Sequence, residues 1–368
     1  MKIDRNQGAS WSGLERNTCV TIFPDFLILL LVMERDDMIA VDLIRNVTVD
    51  DRLRGAVWGQ FVGDAAALGA HWIYDLDELS SKFPRGVTGF ETPTEGHYHF
   101  GKKSGDQTHY GDGALILLES IASSGGFDAT AFGEAFVHAF DPGAYAGYLD
   151  KATKGTLENF LTFRAANPDQ DFDFQHGADD DHLGAASRIA SLVVRYWRNS
   201  ELLDIVRTAT RVCQDNERTI AYMRFHALLL RELFRGEDVH NALEQAQKEF
   251  MGVDQKFWPE IRYKSQGALE ETLNDVTEAT QTFGQACPLE QSFPSALHAF
   301  LKHADDFETC ILATIRAGGD SAGRAAMLGS WLGAHLGIQA IPREWRNRLT
   351  AASRINAALD KILLDLSR

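Results

Sequence analysis

Five long stretches of this chain place apolar residues three and four positions apart, and this spacing constrains the fold more than any other feature. They are FGEAFVHAF, HLGAASRIASLVVRYW, ELLDIVRTATRVCQ, ERTIAYMRFHALLLRELFRG and PREWRNRLTAASRINAALDKILLDL. Such spacing puts apolar side chains on one face of an α-helix. Sustained apolar-polar alternation, the pattern of half-buried strands, is missing. The sequence therefore predicts an all-α fold.

The chain has 368 residues, of which 45% are hydrophobic, so it can bury a large core. Residues 51–368 contain no internal repeat and no low-complexity linker, which predicts one compact multi-helix domain there and an N-terminal extension over 1–50. The extension carries an apolar run from Phe26 to Met33. This run is too short for a bilayer, which takes about 20 apolar residues. A docking helix and an accessory extension with little order both remain open for it.

The formal net charge of −16 creates a repulsive field for other anions. It disfavours binding to nucleic acid and to anionic membranes, so we expect neither partner. The four cysteines show no CxxC pair and no zinc-ligand spacing, which argues against a thiol metal site and favours a reducing compartment. We expect a cytoplasmic monomer without a membrane span.

The segment RGAVWGQFVGDAAALGAHWIYD combines regularly spaced glycines with one acid. Gly55, Gly59 and Gly63 recur every four residues, which gives a helix a flat face for tight packing or for a ligand to approach the backbone. Tight packing is the favoured interpretation. Asp64 lies in an apolar setting, where a carboxylate must be paired, hydrogen-bonded or bound to a metal.

A second segment, GKKSGDQTHYGDGALILLESI, is a polar loop that runs into a predicted helix. Asp106, Thr108, His109, Tyr110 and Asp112 cluster at the entry, where free N–H groups favour anions. Capping the helix explains one of these acids but not the whole set. The cluster therefore predicts a functional site.

A third segment, GADDDHLGAASRIA, places three acids directly before a predicted helix. Acids there complement the helix dipole, so Asp179, Asp180 and Asp181 are predicted to cap the helix, with cation binding as the alternative. Arg188 follows about two turns later and can point back into the core.

The fourth segment, AGGDSAGRA, joins two apolar and periodic flanks. Asp320 is placed to cap the second helix, and Gly318 and Gly319 allow a ligand to lie against bare backbone. The segment also fits the G-x-S-x-G pattern around Ser321. That nucleophile elbow must follow a buried strand, and the preceding segment is predicted to be helical, so we interpret the match as chance.

Together these segments resemble the ADP-ribosylglycohydrolase family, over most of residues 52–345. The family's three motifs are matched in turn by Gly59, Gly63-Asp64 and Leu68-Gly69, by Thr108-His109-Tyr110-Gly111, and by Gly318-Gly-Asp-Ser-Ala-Gly323. The sequence looks like a divergent branch that is also similar to the jellyfish J-type crystallins, which share the fold and serve as lens proteins.

The resemblance implies a magnesium site whose ligand set is incomplete here. In the family, paired acids of the second motif and both acids of the last hold two magnesium ions. His109 and Tyr110 stand in place of the paired acids, and Ala322 replaces the second acid of the last motif. Thr108 and Asp320 stay in register, so they are the metal ligands that the resemblance implies.

The resemblance implies a hydrolase that cleaves an N- or O-glycosidic bond of an ADP-ribose-type substrate. Asp106 or Asp112 is then the candidate general base. The remaining motif residues are assigned to substrate binding: Asp64, His109, Tyr110, Gly318, Gly319, Ser321 and Arg324. Arg324 either holds a phosphate or only pairs with Asp320, and both interpretations remain open. The alternative is a catalytically silent protein that retains the fold in a crystallin-like structural or ligand-binding role.

Overall fold

The computed structural model describes residues 47–271 and 275–366, and α-helices supply the regular structure of both ranges. In chain order the helices are α1 (Val49–Ala67), α2 (Leu76–Lys82), α3 (His109–Ser124), α4 (Ala129–Ala139), α5 (Lys151–Ala166), α6 (Ala190–Tyr196), α7 (Leu202–Cys213), α8 (Glu217–Arg235), α9 (Val239–Val253), α10 (Trp258–Glu270), α11 (Val276–Phe283), α12 (Leu289–Lys302), α13 (Phe307–Arg316), α14 (Ser321–Leu336), α15 (Arg343–Arg348) and α16 (Ala352–Leu366). Within the described residues, β-type pairing is limited to isolated bridges. The all-α prediction is confirmed.

Helices α1 and α14 lie at the centre of the described chain. Every residue of α14 is buried, and α1 is buried almost continuously from Arg52 onward. Helices α3, α6, α8 and α16 pack against α1, and α8, α12 and α13 pack against α14. Burial on all sides explains why neither central helix is strongly amphipathic in sequence, whereas outer helices such as α7 have one apolar face.

Glycines let the backbones of α1 and α14 touch. A methyl group added at Gly59 would overlap the carbonyl oxygen of Gly329, and a methyl group added at Gly329 would overlap the carbonyl oxygen of Gly59. Gly55 and Gly333 form a second pair with the same geometry, one helical turn away. The interpretation of the spaced glycines as tight helix packing is confirmed.

The order of these contacts makes the two helices antiparallel. Gly55 meets Gly333, Gly59 meets Gly329, and Gly63 meets the backbone of Ala325. The C-terminal end of α1 therefore lies beside the N-terminal end of α14. Asp64 and Asp320, which are far apart in the sequence, are carried to the same end of the central pair.

The prediction that Asp179, Asp180 and Asp181 cap a helix is wrong. The chain turns after them, and the next helix, α6, begins only at Ala190. The acids instead join this loop to its surroundings: Asp181 pairs with Arg218 at 2.9 Å, and Asp179 accepts a hydrogen bond from Asn216. Neighbouring donors, rather than a helix N-terminus, hold Asp179 and Asp181, and one oxygen of the buried Asp180 has no hydrogen-bond partner among the described residues.

The last periodic stretch forms two helices rather than one. The break falls at Thr350, whose N–H donates to the carbonyl of Gly105 at 3.0 Å and whose hydroxyl bonds Asp106 at 2.9 Å. These contacts to a distant turn replace the helical hydrogen bonds between α15 and α16.

None of the described helices has both the length and the apolar composition needed to cross a bilayer. The run from Phe26 to Met33 lies outside the described residues.

The glycine contact predicts a large penalty for a single methyl group. Gly59→Ala should lower the free energy of unfolding by about 1–3 kcal/mol or more, because the new Cβ meets backbone that cannot rotate away. Gly252→Ala is the matched control, since that glycine also lies in a helix but has open space around it. The control should gain up to about 1 kcal/mol from helix propensity. Denaturant unfolding of both variants measures the difference, and equal stabilities would contradict the backbone contact.

Candidate functional site

Asp64 is fully buried at the end of α1 and is held by the entry of α3. Its carboxylate accepts hydrogen bonds from the backbone N–H of Thr108 at 2.7 Å and from the Thr108 hydroxyl. Gly111 makes this approach possible, because a Cβ there would overlap the carboxylate. Burial raises the pKa of Asp64 to about 7, and the two Thr108 donors only partly oppose the shift.

Asp320 is the second buried acid and the predicted cap of α14. One carboxylate oxygen accepts from the N–H of Gly323 at 3.2 Å, which confirms the cap. The other accepts from the Tyr110 hydroxyl at 2.8 Å and from the Trp72 indole N–H at 3.3 Å. Burial raises the pKa of Asp320, and the Tyr110 hydrogen bond opposes this shift. Three neutral donors therefore surround this carboxylate.

The joint between α13 and α14 is pinned to the chain that follows α1. The N–H of Trp72 donates to the carbonyl of Gly319, and the N–H of Gly319 donates to the carbonyl of Ile73, both at 2.8 Å. Gly318 and Gly319 have φ values of 71° and 67°, which favour glycine. A Cβ at Gly319 would also overlap Gln285. The two glycines therefore lie against the protein's own chain. The contact of a ligand with their backbone stays a prediction.

Arg324 stabilises the same joint from inside. Its side chain is fully buried and donates to the carbonyl of Gln285 at 2.8 Å and to the carbonyl of Gly318. Burial lowers its pKa to about 10, although the charge of Asp320 opposes the shift. Both hydrogen bonds are donated to backbone carbonyls, whereas Asp320 acts on Arg324 through its charge, and the binding of a phosphate by Arg324 stays a prediction. The helix α13 before Ser321 also confirms that no strand precedes the G-x-S-x-G match.

Three buried histidines, His71, His99 and His109, fill the space beside the two acids. Their ring centroids lie 5.6, 5.5 and 6.1 Å apart, and one ring nitrogen of each lies within 4.8 Å of those of the other two. Burial lowers the pKa of His71 and of His99, and the neighbouring imidazoles add to the shift. Of these three histidines, only His109 was predicted from the sequence. The repeated histidines of GAHW and GHYHF, close to two of the motifs, were the available signal.

Aromatic rings close the outer side of the histidines. Trp72 stacks on His71 at 4.3 Å between ring centroids, and Tyr148 meets Trp72 edge-on at 4.8 Å. Trp72 has a φ of 62°, which is rare for a residue with a side chain and orients the indole toward Asp320. Tyr98 also packs against Trp72 and remains largely exposed. The cluster therefore has one aromatic face toward solvent.

The two candidate general bases have different surroundings. Asp112 follows Thr108 by one turn of α3 and accepts hydrogen bonds from Lys102 and Tyr145, both at 2.7 Å. Its side chain is 27% exposed, so water can reach it. Asp106 bonds the N–H of Lys103 and the hydroxyl of Thr350, in a turn outside the cluster. Of the two, only Asp112 adjoins the buried acids.

The residues at this site do not fit the magnesium pair that the resemblance implies. Hard divalent ions take about six oxygen ligands. The Thr108 hydroxyl already bonds Asp64 and caps α3, and Asp320 already accepts three hydrogen bonds. Ser321 offers a buried hydroxyl without a partner among the described residues. One hydroxyl, with His109 and Tyr110 in the place of acids, does not supply the missing oxygens.

The chain is similar to known proteins over most of its length. The ADP-ribosylglycohydrolase family matches residues 45–368. Crystallin J1A of Tripedalia cystophora is 28% identical over 312 residues, covering 83% of this chain and 94% of that protein. Crystallin J1B of the same organism is 27% identical over 331 residues, covering 87% and 98%. A solved structure named ADP-ribosylglycohydrolase-related protein complex has a TM-score of 0.64 at 24% identity, covers 86% of this chain and 98% of its own, and shares the fold. Because the family match spans most of its length, the chain belongs to the ADP-ribosylglycohydrolase family.

Proposed function

We propose that this protein hydrolyses an N- or O-glycosidic bond of an ADP-ribose-type substrate, and that it does so without the magnesium pair. The observation that carries the proposal is a cleft beside the cluster of imidazole and aromatic rings. Its volume is about 490 Å³, and it is lined by Tyr148, Lys151, Lys154, Gly155, Glu158, Asn159, Ala178 and Asp179. Tyr148 also contacts Trp72 and His109, so the cleft adjoins the cluster directly.

The chemistry of the cleft suits a nucleoside diphosphate. Lys154 lies 5.3 Å from the centre of the Tyr148 ring, so a cation and an aromatic face are presented together. Lys151 lies 3.6 Å from the buried Asp180 carboxylate and is otherwise largely exposed, so a phosphate can reach its ammonium group from the solvent side. These lysines supply the local positive charge that a protein with a net charge of −16 needs to bind an anion. The Tyr148 ring offers a face on which an adenine can stack.

Asp112 is the group that we assign to general base catalysis. Hydrolysis adds water to the anomeric carbon and transfers a proton to the leaving group, which a positioned carboxylate can assist. Asp112 is partly exposed, and Lys102 and Tyr145 fix its orientation. Asp64 and Asp320 act as positioning residues, because their hydrogen bonds go to Thr108, Tyr110 and Trp72. The fully buried Asp64 reaches the reaction only through these neighbours.

A second function, a catalytically silent protein of this fold, is favoured by a different observation. Imidazole and aromatic rings fill the space beside Asp320, and that carboxylate is satisfied by protein donors. The two curated relatives reported above are crystallins. In this case the cleft binds a ligand, or none, without turnover.

Substitution of Asp112 separates the two functions. Asp112→Asn should lower kcat for release of ADP-ribose from an N- or O-linked substrate by about 10²–10⁴-fold, because a positioned base contributes that much. Asp106→Asn is the matched control, since it changes a nearby acid in a turn outside the cluster, and it should retain the parent rate. Added magnesium should leave the parent rate within about twofold. A parent protein without turnover on either substrate class would support the silent function, and equal rates for both variants would remove Asp112 from catalysis.

The raised pKa of Asp64 predicts how stability depends on pH. The folded state holds a proton on Asp64 up to about pH 7, whereas the unfolded carboxyl releases it near 3.8. The folded state therefore binds more protons across this window, so the free energy of unfolding should fall as pH rises through it, by up to on the order of 4 kcal/mol. Asp64→Asn should remove this part of the decline, whereas Asp169→Asn, in an exposed loop, should keep it. Denaturant unfolding at several pH values measures the slopes, and parallel curves for parent and Asp64→Asn would contradict the assignment.

A further inference from the structure

We propose that His71, His99 and His109 form a binding site for one divalent transition-metal ion of the zinc type. The three residues lie on separate segments: His71 follows α1, His99 belongs to the long loop before α3, and His109 begins α3. The proposal concerns metal binding alone and holds whether or not the protein is a hydrolase.

The spacing of the three rings suits one ion between them. Their centroids form a nearly equilateral triangle with edges of 5.6, 5.5 and 6.1 Å. The centre of such a triangle lies about 3.3 Å from each centroid, and a zinc ion at 2.0–2.1 Å from an imidazole nitrogen lies about 3.2 Å from the ring centre. The nitrogens lie within 4.8 Å of one another, whereas nitrogens bound at 2.0–2.1 Å to one tetrahedral ion lie about 3.3 Å apart, so the rings must turn toward the ion as it binds.

The ring nitrogens are otherwise unexplained. Five of the six make no hydrogen bond to any described residue, although all three side chains are almost completely buried. The sixth, Nδ1 of His71, accepts only a long hydrogen bond of 3.3 Å from the N–H of Ala322. Each buried polar group without a partner costs about 1–3 kcal/mol. An ion that takes one lone pair from each ring would offset part of that cost.

The neighbouring His97 shows what a satisfied histidine looks like in the same loop. Its Nε2 lies 2.7 Å from the carbonyl of His71, and its Nδ1 accepts from the N–H of His99 at 3.0 Å. The two nitrogens of His97 therefore tie the segment that carries His71 to the loop that carries His99. The contrast indicates that the unpartnered nitrogens are a property of the cluster and not of the loop.

Two carboxylates are placed to orient the imidazoles. Oδ1 of Asp320 lies 3.8 Å from Nδ1 of His71, and Oδ2 of Asp150 lies 3.6 Å from Nε2 of His109. Histidines that bind metals commonly donate their second N–H to a carboxylate, which fixes the ring and increases its basicity. When an ion is bound, Nδ1 of His71 carries its proton toward Asp320 and gives up the long hydrogen bond from Ala322, and Nε2 of His109 carries its proton toward Asp150. Nε2 of His71 and Nδ1 of His109 then remain for the ion.

The ligand set selects the kind of ion. Imidazole nitrogens suit zinc, copper, nickel and iron, whereas magnesium requires oxygen ligands. Three histidines leave one coordination position of a tetrahedral ion for water or a ligand. The motif positions that lack the oxygens for magnesium thus contribute His109 to a site of different chemistry.

Metal titration of the full-length chain, without an affinity tag, tests the proposal. The protein is treated with a chelator, dialysed and titrated with Co²⁺, whose visible absorption reports tetrahedral nitrogen coordination, and Zn²⁺ is then added in competition. We expect one ion per chain, and no comparable binding of Mg²⁺. His99→Gln should weaken Co²⁺ binding by at least about 100-fold. His240→Gln, which changes an exposed histidine of α9, should bind as the parent does.

A second variant covers the case in which His99→Gln fails to fold. Asp150→Asn keeps the cap of α5, because asparagine caps helices as well as aspartate does, but it removes the carboxylate beside His109. It should weaken binding by about 10–100-fold while the circular dichroism spectrum stays unchanged. A parent protein that takes up neither Co²⁺ nor Zn²⁺ would overturn the proposal. Parent-like binding by Asp150→Asn and by a folded His99→Gln would also overturn it, since the ion would then lie elsewhere.

Discussion

The direct contact between the backbones of α1 and α14 is the constraint on which the rest of the structure depends. It exists because Gly55 and Gly59 face Gly333 and Gly329, so that no side chain separates the two helices. The two helices then form a narrow central layer that the remaining helices can cover on every side. Because the pair is antiparallel, the contact also brings Asp64 and Asp320 to one end. A structural contact between glycines therefore fixes the location of the site.

At the end of the α1–α14 pair that carries Asp320, neutral hydrogen-bond donors stand where the family's pattern has acids. In the family that the chain resembles, the second motif carries paired acids, which repel a nearby carboxylate unless cations lie between them. Here Tyr110 takes one of these positions, and its hydroxyl donates to Asp320. Trp72 adds a second donor. A hydrogen bond to Asp320 therefore stands where the family's pattern has an acid, and it opposes the rise in the pKa of Asp320 that burial causes.

Much of the fold could be predicted from the sequence because its signals are local. The three-and-four spacing predicts the helices, the four-residue glycine spacing predicts the tight contact, and the position of Asp320 predicts a cap that the structure confirms. The prediction that the acids at 179–181 cap a helix was wrong, because acids that cap a helix and acids that bind side chains elsewhere in the chain can have the same neighbours in the sequence. The partners that decide between them, such as Arg218, lie elsewhere in the chain.

The site itself was harder to predict because its contacts join distant segments. Arg324 was expected to hold a phosphate or to pair with Asp320, and its hydrogen bond to the carbonyl of Gln285 could not be foreseen because it depends on the path of the chain there. The histidine cluster was missed for the same reason. The loop that carries His99 has little regular structure, and its path is set by hydrogen bonds of His97 that no periodicity reveals.

If the three histidines bind an ion as proposed, the family's scaffold is retained here while a cluster of imidazoles takes the place of its oxygen-based metal site. Anomalous diffraction from crystals of the full-length protein grown with both zinc and magnesium distinguishes the two kinds of site. We expect one anomalous peak at the zinc edge, within bonding distance of His71, His99 and His109, and hydrogen-bonded protein groups around Asp320. Two ions bound by Thr108 and Asp320, with the three histidines turned away from any ion, would contradict it.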